Sequence, residues 1–160
     1  HQHPAFAGEP VPTLESAAVA CRQVGLLANV EIKPAAGFEA LTGEVVARSV
    51  RALWPGDDLP LVSSFSEMAL ATARAAVPEL PLGCLYERPP SDWLARVRQF
   101  RAVTLHCDAA FLDDEVLREA RAGGIPVLCY TVNDQSIAAA LYRRGVAAVF
   151  SDRIDCLVDD

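Results

Sequence analysis

No uninterrupted apolar run in the chain approaches the ~20 residues that span a bilayer, and no basic stripe offsets its acidity: 14 Lys and Arg lie scattered among 21 Asp and Glu, for a net charge of −7. The first absence excludes a helical membrane span. The second argues against nucleic acid as a partner, because a phosphate backbone calls for clustered cations. The 5 cysteines, Cys21, Cys84, Cys107, Cys129 and Cys156, are odd in number and never spaced as C-x-x-C. Neither a disulfide framework nor a zinc site fits that spacing, and a reducing cytoplasm is the expected setting. Four of these thiols fall in apolar runs, where cysteine behaves as a small buried side chain. No G-x-G-x-x-G or P-loop opens a helix, and Ser63-Ser64 lacks the G-x-S-x-G frame of a nucleophile elbow.

What the sequence does contain is apolar content and regular alternation. A hydrophobic fraction of 52% over 160 residues suits one globular domain with a real core. "TLESAAVACRQVG" reads as a helix capped by Thr13 and stopped by Gly25. In "LLANVEIKP", Leu26, Leu27, Ala28, Val30 and Ile32 read as a short strand that Pro34 ends. A helix follows with Val45, Val46, Val50 and Leu53 at helical spacing, then strand "LPLVSSF", a helix over 66–77, strand "LGCLY" and a helix over 91–100 carrying Trp93, Leu94 and Val97. Strand "AVTLHCD" leads to a helix over 115–122 capped by Asp113 or Asp114. Strand "IPVLCYTVN", a helix begun by Asp134 and closed by Gly145, and strand "VAAVFSD" complete the pattern. Alternation of this kind predicts βαβ units in a parallel sheet, either doubly wound or part of a β/α barrel. The missing nucleotide-binding glycine motifs favour the barrel.

In either architecture the working face lies at the C-terminal strand ends. Those ends carry Glu31 and Lys33, Ser63-Ser64-Phe65, Tyr86-Glu87, His106-Cys107-Asp108, Tyr130-Thr131-Asn133 and Ser151-Asp152. Strand alternation puts Asn29, Glu31 and Lys33 on one face. Two opposite charges there form either a plain intrastrand ion pair or a metal and phosphate site, since charge in a barrel lumen is costly without a partner. In so acidic a chain, phosphate chemistry needs a local cation such as Lys33 or a bound metal. His106 reads as a hydrogen-bonded structural residue rather than a base, Asp152 as a cap or a site residue, and Tyr130 as core packing or the wall of a ligand pocket.

The ordered segments "GEPVPTLE", "NVEIKP", "LVSSF", "PELPLGCLYE", "IPVLCYTVND" and "GVAAVFSDRID" resemble the glycerophosphodiester phosphodiesterases, in particular the bacterial cytoplasmic type. The resemblance implies an α/β (β/α) TIM-type barrel and metal-dependent hydrolysis of glycerophosphodiesters to sn-glycerol 3-phosphate and an alcohol, a step in glycerol and lipid metabolism. It implies Glu31 as a metal ligand for Mg²⁺ or Ca²⁺, Lys33 as the catalytic and substrate-binding cation on the phosphoryl group, and Phe65 and Tyr130 as substrate-binding walls. The family's His-Arg-Gly, Glu-x-Asp and His-Asp strand ends have no counterpart here, and His1 and His3 are not followed by Arg-Gly. Residues 1–160 are therefore expected to be the C-terminal portion of a single barrel domain, lacking its N-terminal strands and inactive alone. The alternative is a non-catalytic βα module that closes its open edge against a second copy. A phosphoinositide-type phospholipase would call for a membrane-facing apolar or basic rim, which the sequence lacks.

Overall fold

The computed structural model describes residues 7–153 and Asp155; His1, His3 and Cys156 lie outside the described residues. The elements run α1 (Leu14–Val24), β1 (Asn29–Ile32), α2 (Glu39–Leu53), β2 (Leu61–Ser64), α3 (Glu67–Ala76), β3 (Leu82–Tyr86), α4 (Trp93–Gln99), β4 (Thr104–Asp108), α5 (Asp114–Gly123), β5 (Val127–Tyr130), α6 (Gln135–Arg144) and β6 (Ala148–Val149). A 3-10 turn, Ala109–Phe111, precedes α5. Local chemistry sets several boundaries. The side chains of Thr13, Ser66, Asp113 and Asp134 accept backbone N–H groups at the starts of α1, α3, α5 and α6. Gly25 and Gly145 end α1 and α6 in the left-handed conformation.

All six strands are parallel and pair in the order β1-β2-β3-β4-β5-β6. A doubly wound sheet reverses its strand order at a switch point, and this one never does. The order is that of a β/α barrel, of which eight strands close a TIM barrel and the described residues supply six. The sheet is curled. The Phe65 and Tyr130 rings, at the ends of β2 and β5, lie 6.0 Å apart, whereas three strand steps in a flat sheet span about 14 Å.

The outer face of the sheet packs on the helices through Ile32, Val62, Leu82, Cys84, Leu105, Cys107, Val127 and Cys129, all buried. The helices answer with small residues. Gly43, Ala47 and Val50 on α2 meet Ala69, Leu70 and Ala73 on α3. The approach is close: a Cβ on Gly43 would stand 2.4 Å from the Ala69 carbonyl oxygen.

Three local expectations are corrected. Leu26 and Leu27 lie outside β1 and are exposed, Leu27 at 99%, because the Gly25 cap turns the chain and Leu26 N–H donates to the Cys21 carbonyl at 2.9 Å. Val45 is 52% exposed, since the buried stripe of α2 runs through the small residues that allow α3 to approach. The last strand shrinks to Ala148–Val149. Backbone bonds from Ala147 to Val127, from Phe150 to Cys129 and from Val132 to Phe150, each 2.8 Å, still hold the flanking segment beside β5.

Candidate active site

Residues in or just after each strand line one cavity of about 340 Å³ at the C-terminal end of the curled sheet. β1 sends Asn29, Glu31 and Lys33 into it, so the alternation continues one residue past the strand's last ladder pair. Phe65, Leu85, His106, Tyr130 and Asp152 line the rest, with Thr131 and Phe150. Lys33 Nζ stands 3.4 Å from Glu31 Oε2, with the lysine side chain 77% exposed and the glutamate 28%. So exposed a pair contributes little to stability. The other carboxylate oxygen, Glu31 Oε1, is buried and has no hydrogen-bond partner. A buried carboxylate oxygen in that condition has room in its lone pairs for a cation or a donor.

Ser64 fixes the end of β1. Its hydroxyl donates to the Ile32 carbonyl at 2.8 Å and accepts from Ser66 N–H at 3.0 Å, which holds the segment entering Lys33 against β2. Ser63 pairs in register with Glu31, and its hydroxyl is buried and unpartnered. Its hydroxyl contacts no base that could activate it. Tyr130 donates its hydroxyl to the Tyr86 carbonyl at 2.9 Å, while its ring meets Phe65 edge to face at 78°. Burial, reinforced by the Asp108 carboxylate, pushes its phenol up to about 12. Tyr130 is thus a neutral, fixed wall.

His106 is wholly buried, and its Nε2 hydrogen-bonds Thr104 Oγ1 at 2.9 Å. Its Nδ1 has no partner, and the ring packs 5.2 Å from that of Phe150. Desolvation lowers its pKa to about 4, so the imidazole is neutral at ordinary pH. Space for it comes from Gly83 on the neighbouring strand, where a Cβ would stand 2.7 Å from Thr104 Oγ1 and 2.9 Å from His106 Nε2. A glycine inside a strand marks such a close approach, and that was the signal available in "LGCLY". Phe150 had no comparable signal, since the facing of the short β6 depends on its pairing with β5. Asp152 lines the cavity and caps no described helix; Asn133 Oδ1 accepts from its N–H and from the Ser151 hydroxyl, both at 2.9 Å.

Among the described residues no group of three or more His, Cys, Asp and Glu side chains could hold a metal ion. Glu31 Oε1 fits a single coordination position. The buried cysteines line the outer face instead, and desolvation raises the Cys84 thiol to about 11, as expected of inert core residues.

The fold and cavity define a β/α-barrel protein with a cation and a carboxylate at the strand ends. Comparison with known proteins narrows the class. The sequence profile of the Glycerophosphoryl diester phosphodiesterase family matches residues 1–156, and the chain belongs to that family. It is 36% identical to a solved Oleispira antarctica phosphodiesterase in complex with the product sn-glycerol-3-phosphate, with a TM-score of 0.86 over 91% of this chain and 59% of that one. YhdW of Bacillus subtilis, provisionally named for glycerophosphodiester phosphodiesterase activity, is 26% identical over 98% of this chain and 65% of its own length. The glycerophosphodiester phosphodiesterase of Caldanaerobacter subterraneus subsp. tengcongensis is 21% identical over 96% and 63%. The chain thus spans 59–65% of the length of these relatives. Among the described residues no helix is long and apolar enough to cross a membrane.

Proposed function

We propose that this site serves the hydrolysis of glycerophosphodiesters to sn-glycerol 3-phosphate and an alcohol. The observation that carries the reading is the Glu31–Lys33 pair, which places a free buried carboxylate oxygen and an exposed ammonium side by side in one lumen. The product bound by the Oleispira antarctica relative is sn-glycerol-3-phosphate, a phosphate for which Lys33 is the cationic side chain lining this cavity.

In this reading Lys33 binds a non-bridging phosphoryl oxygen and offsets the negative charge that grows there as the phosphorus–alcohol bond breaks. Glu31 holds one position of a divalent cation, Mg²⁺ or Ca²⁺. Such a cation, when bound, polarises the phosphoryl oxygens. Tyr130, held by the Tyr86 carbonyl, and Phe65 wall the pocket around the phosphodiester, and water enters as the second reactant. His106 enters as a neutral hydrogen-bonding group, since an imidazole that stays unprotonated down to about pH 4 is a poor general acid.

The test compares two forms of the protein. Extended to the length of its relatives, it is expected to release sn-glycerol 3-phosphate only with a divalent cation, and residues 1–160 alone are expected to give no turnover. Metal-dependent turnover by the 160-residue chain would overturn these roles. Inactivity of the extended form on every glycerophosphodiester would remove the function.

A further inference from the structure

Each of the six helices ends where the next strand begins, so their last turns gather at the end of the sheet opposite the cavity. Every one of those last turns carries arginine. Arg22, Arg74, Arg98, Arg121 and Arg143 come from the helices, and Arg101 from the turn after α4. None of these six forms an ion pair among the described residues. Arg74 donates instead to the Phe100 and Arg101 carbonyls at 3.1 and 3.0 Å. Burial lowers its pKa, and the neighbouring Arg101 cation lowers it further. Few carboxylates share this end among the described residues: Glu79, held by Arg51 at 3.1 Å, and Asp57 and Asp58 in the turn between α2 and β2. A chain of net charge −7 thus presents a basic face, assembled from residues too far apart in sequence to read as a stripe.

Cations near helix C-termini also offset the helix dipole, and one per helix suffices for that. The dipole has no use for the apolar side chains at the same end. Val24, Leu26 and Leu27, around the Gly25 turn that follows Arg22, are 70%, 63% and 99% exposed, and Tyr142, next to Arg143, is exposed as well. Aliphatic groups held in water among unpaired arginines match an anionic bilayer: the cations meet lipid phosphates and the aliphatic tip enters the boundary of the acyl layer. A nucleic acid would leave those aliphatic groups in water, since its backbone offers phosphate and sugar. Acidic residues occupy the first turns of α1, α2, α3 and α5 instead. That end lies about 15 Å away along a helix of 10 residues. The separation exceeds the ~10 Å over which 0.1 M salt screens charge.

We propose that the face opposite the cavity is a peripheral membrane-binding surface, with its arginines on anionic lipid phosphates and Val24, Leu26 and Leu27 at the interface. This seat leaves the cavity open to the aqueous side. The inference stands apart from the reading of the cavity, yet the two are compatible. A glycerophosphodiester is the water-soluble remainder of a phospholipid whose acyl esters have been cleaved, and a protein seated on the bilayer meets it where deacylation releases it.

Liposome flotation tests the surface, because only lipid-bound protein rises with the vesicles and self-associated protein stays below. Residues 1–160 and the form extended to its relatives' length are compared on phosphatidylglycerol–phosphatidylcholine vesicles and on pure phosphatidylcholine. Both forms are expected to bind the anionic vesicles at least about tenfold tighter than the neutral ones, and less tightly as salt is raised. Removing two cations together, Arg98→Gln with Arg101→Gln, is expected to weaken that binding roughly tenfold or more, and Leu27→Ser about tenfold. These changes fall on exposed residues and are expected to leave the melting temperature unchanged. Equal binding to both kinds of vesicle, or binding confined to residues 1–160, would overturn the proposal. So would Leu27→Ser protein that floats like wild type while duplex DNA competes for its arginines, since the face would then be a nucleic-acid surface. None of these outcomes bears on glycerophosphodiester hydrolysis, which the turnover assay decides separately.

Discussion

Acid should destabilise this protein through one buried side chain, His106. In the fold its imidazole is held neutral with a pKa of about 4, whereas in the unfolded chain it titrates near its ordinary value of 6.5. Between those values the unfolded state binds a proton that the folded state refuses. Stability from this group is therefore complete above about pH 6.5 and is lost as pH falls toward 4, with a slope of about 1.4 kcal/mol per pH unit. The full loss is on the order of 3 kcal/mol, a sizeable share of the 5–15 kcal/mol typical of a domain. Urea unfolding at a series of pH values from 7.5 to about 4, performed on wild type and on His106→Gln, isolates the effect, because the carboxylates common to both cancel in the difference. Gln retains a group able to meet Thr104 Oγ1 and does not titrate. The expected outcome is that the two stability curves converge by about 3 kcal/mol as the pH falls. Parallel curves would show that the folded state protonates His106 as easily as the unfolded one, and the account of the lumen around Gly83 would be wrong.

Gly43→Ala drives a Cβ to 2.4 Å from the Ala69 carbonyl oxygen and 2.9 Å from Ala69 Cα, and backbone cannot step aside. A loss of about 3 kcal/mol is expected, read as a fall in the melting temperature, and an unchanged melt would show that α2 and α3 are not in this contact. In the protein extended to its relatives' length, Glu31→Gln is expected to weaken the metal titration of activity, and Lys33→Met to lower the turnover rate by at least tenfold with the metal titration unchanged. If both variants keep wild-type behaviour, the pair is an ordinary surface ion pair. Because β1 and β6 each pair on one side only among the described residues, their free backbone groups can template pairing. Residues 1–160 are expected to self-associate in size-exclusion chromatography with light scattering, and a monomer with a cooperative, high-temperature melt would contradict this.

The sequence alone determined the elements whose signals lie within a few residues of one another. Thr13, Asp134 and one of the adjacent Asp113 and Asp114 begin helices because a short side chain reaches the next turn's N–H groups, and Gly25 and Gly145 end them because glycine enters the left-handed region freely. Glu31 and Lys33 share a face because strand side chains alternate, whatever the surroundings. The repetition of these units gave a parallel α/β sheet, and the missing nucleotide-binding glycine motifs with the family resemblance favoured the barrel over the doubly wound form. Only the tertiary structure decided which face of each element was inside and what met there. Val45 and Leu27 are as apolar as their buried neighbours, yet the close approach of α3 and the turn after α1 leave them in solvent. Phe65 and Tyr130 lie 65 residues apart in sequence (130 − 65), and they touch because the sheet curls. His106 sets Nε2 against Thr104 Oγ1 because Gly83, on another strand, has no side chain to occupy that space. Such contacts depend on strand order and curvature, which arise from the packing of all the helices on one sheet and have no local signature.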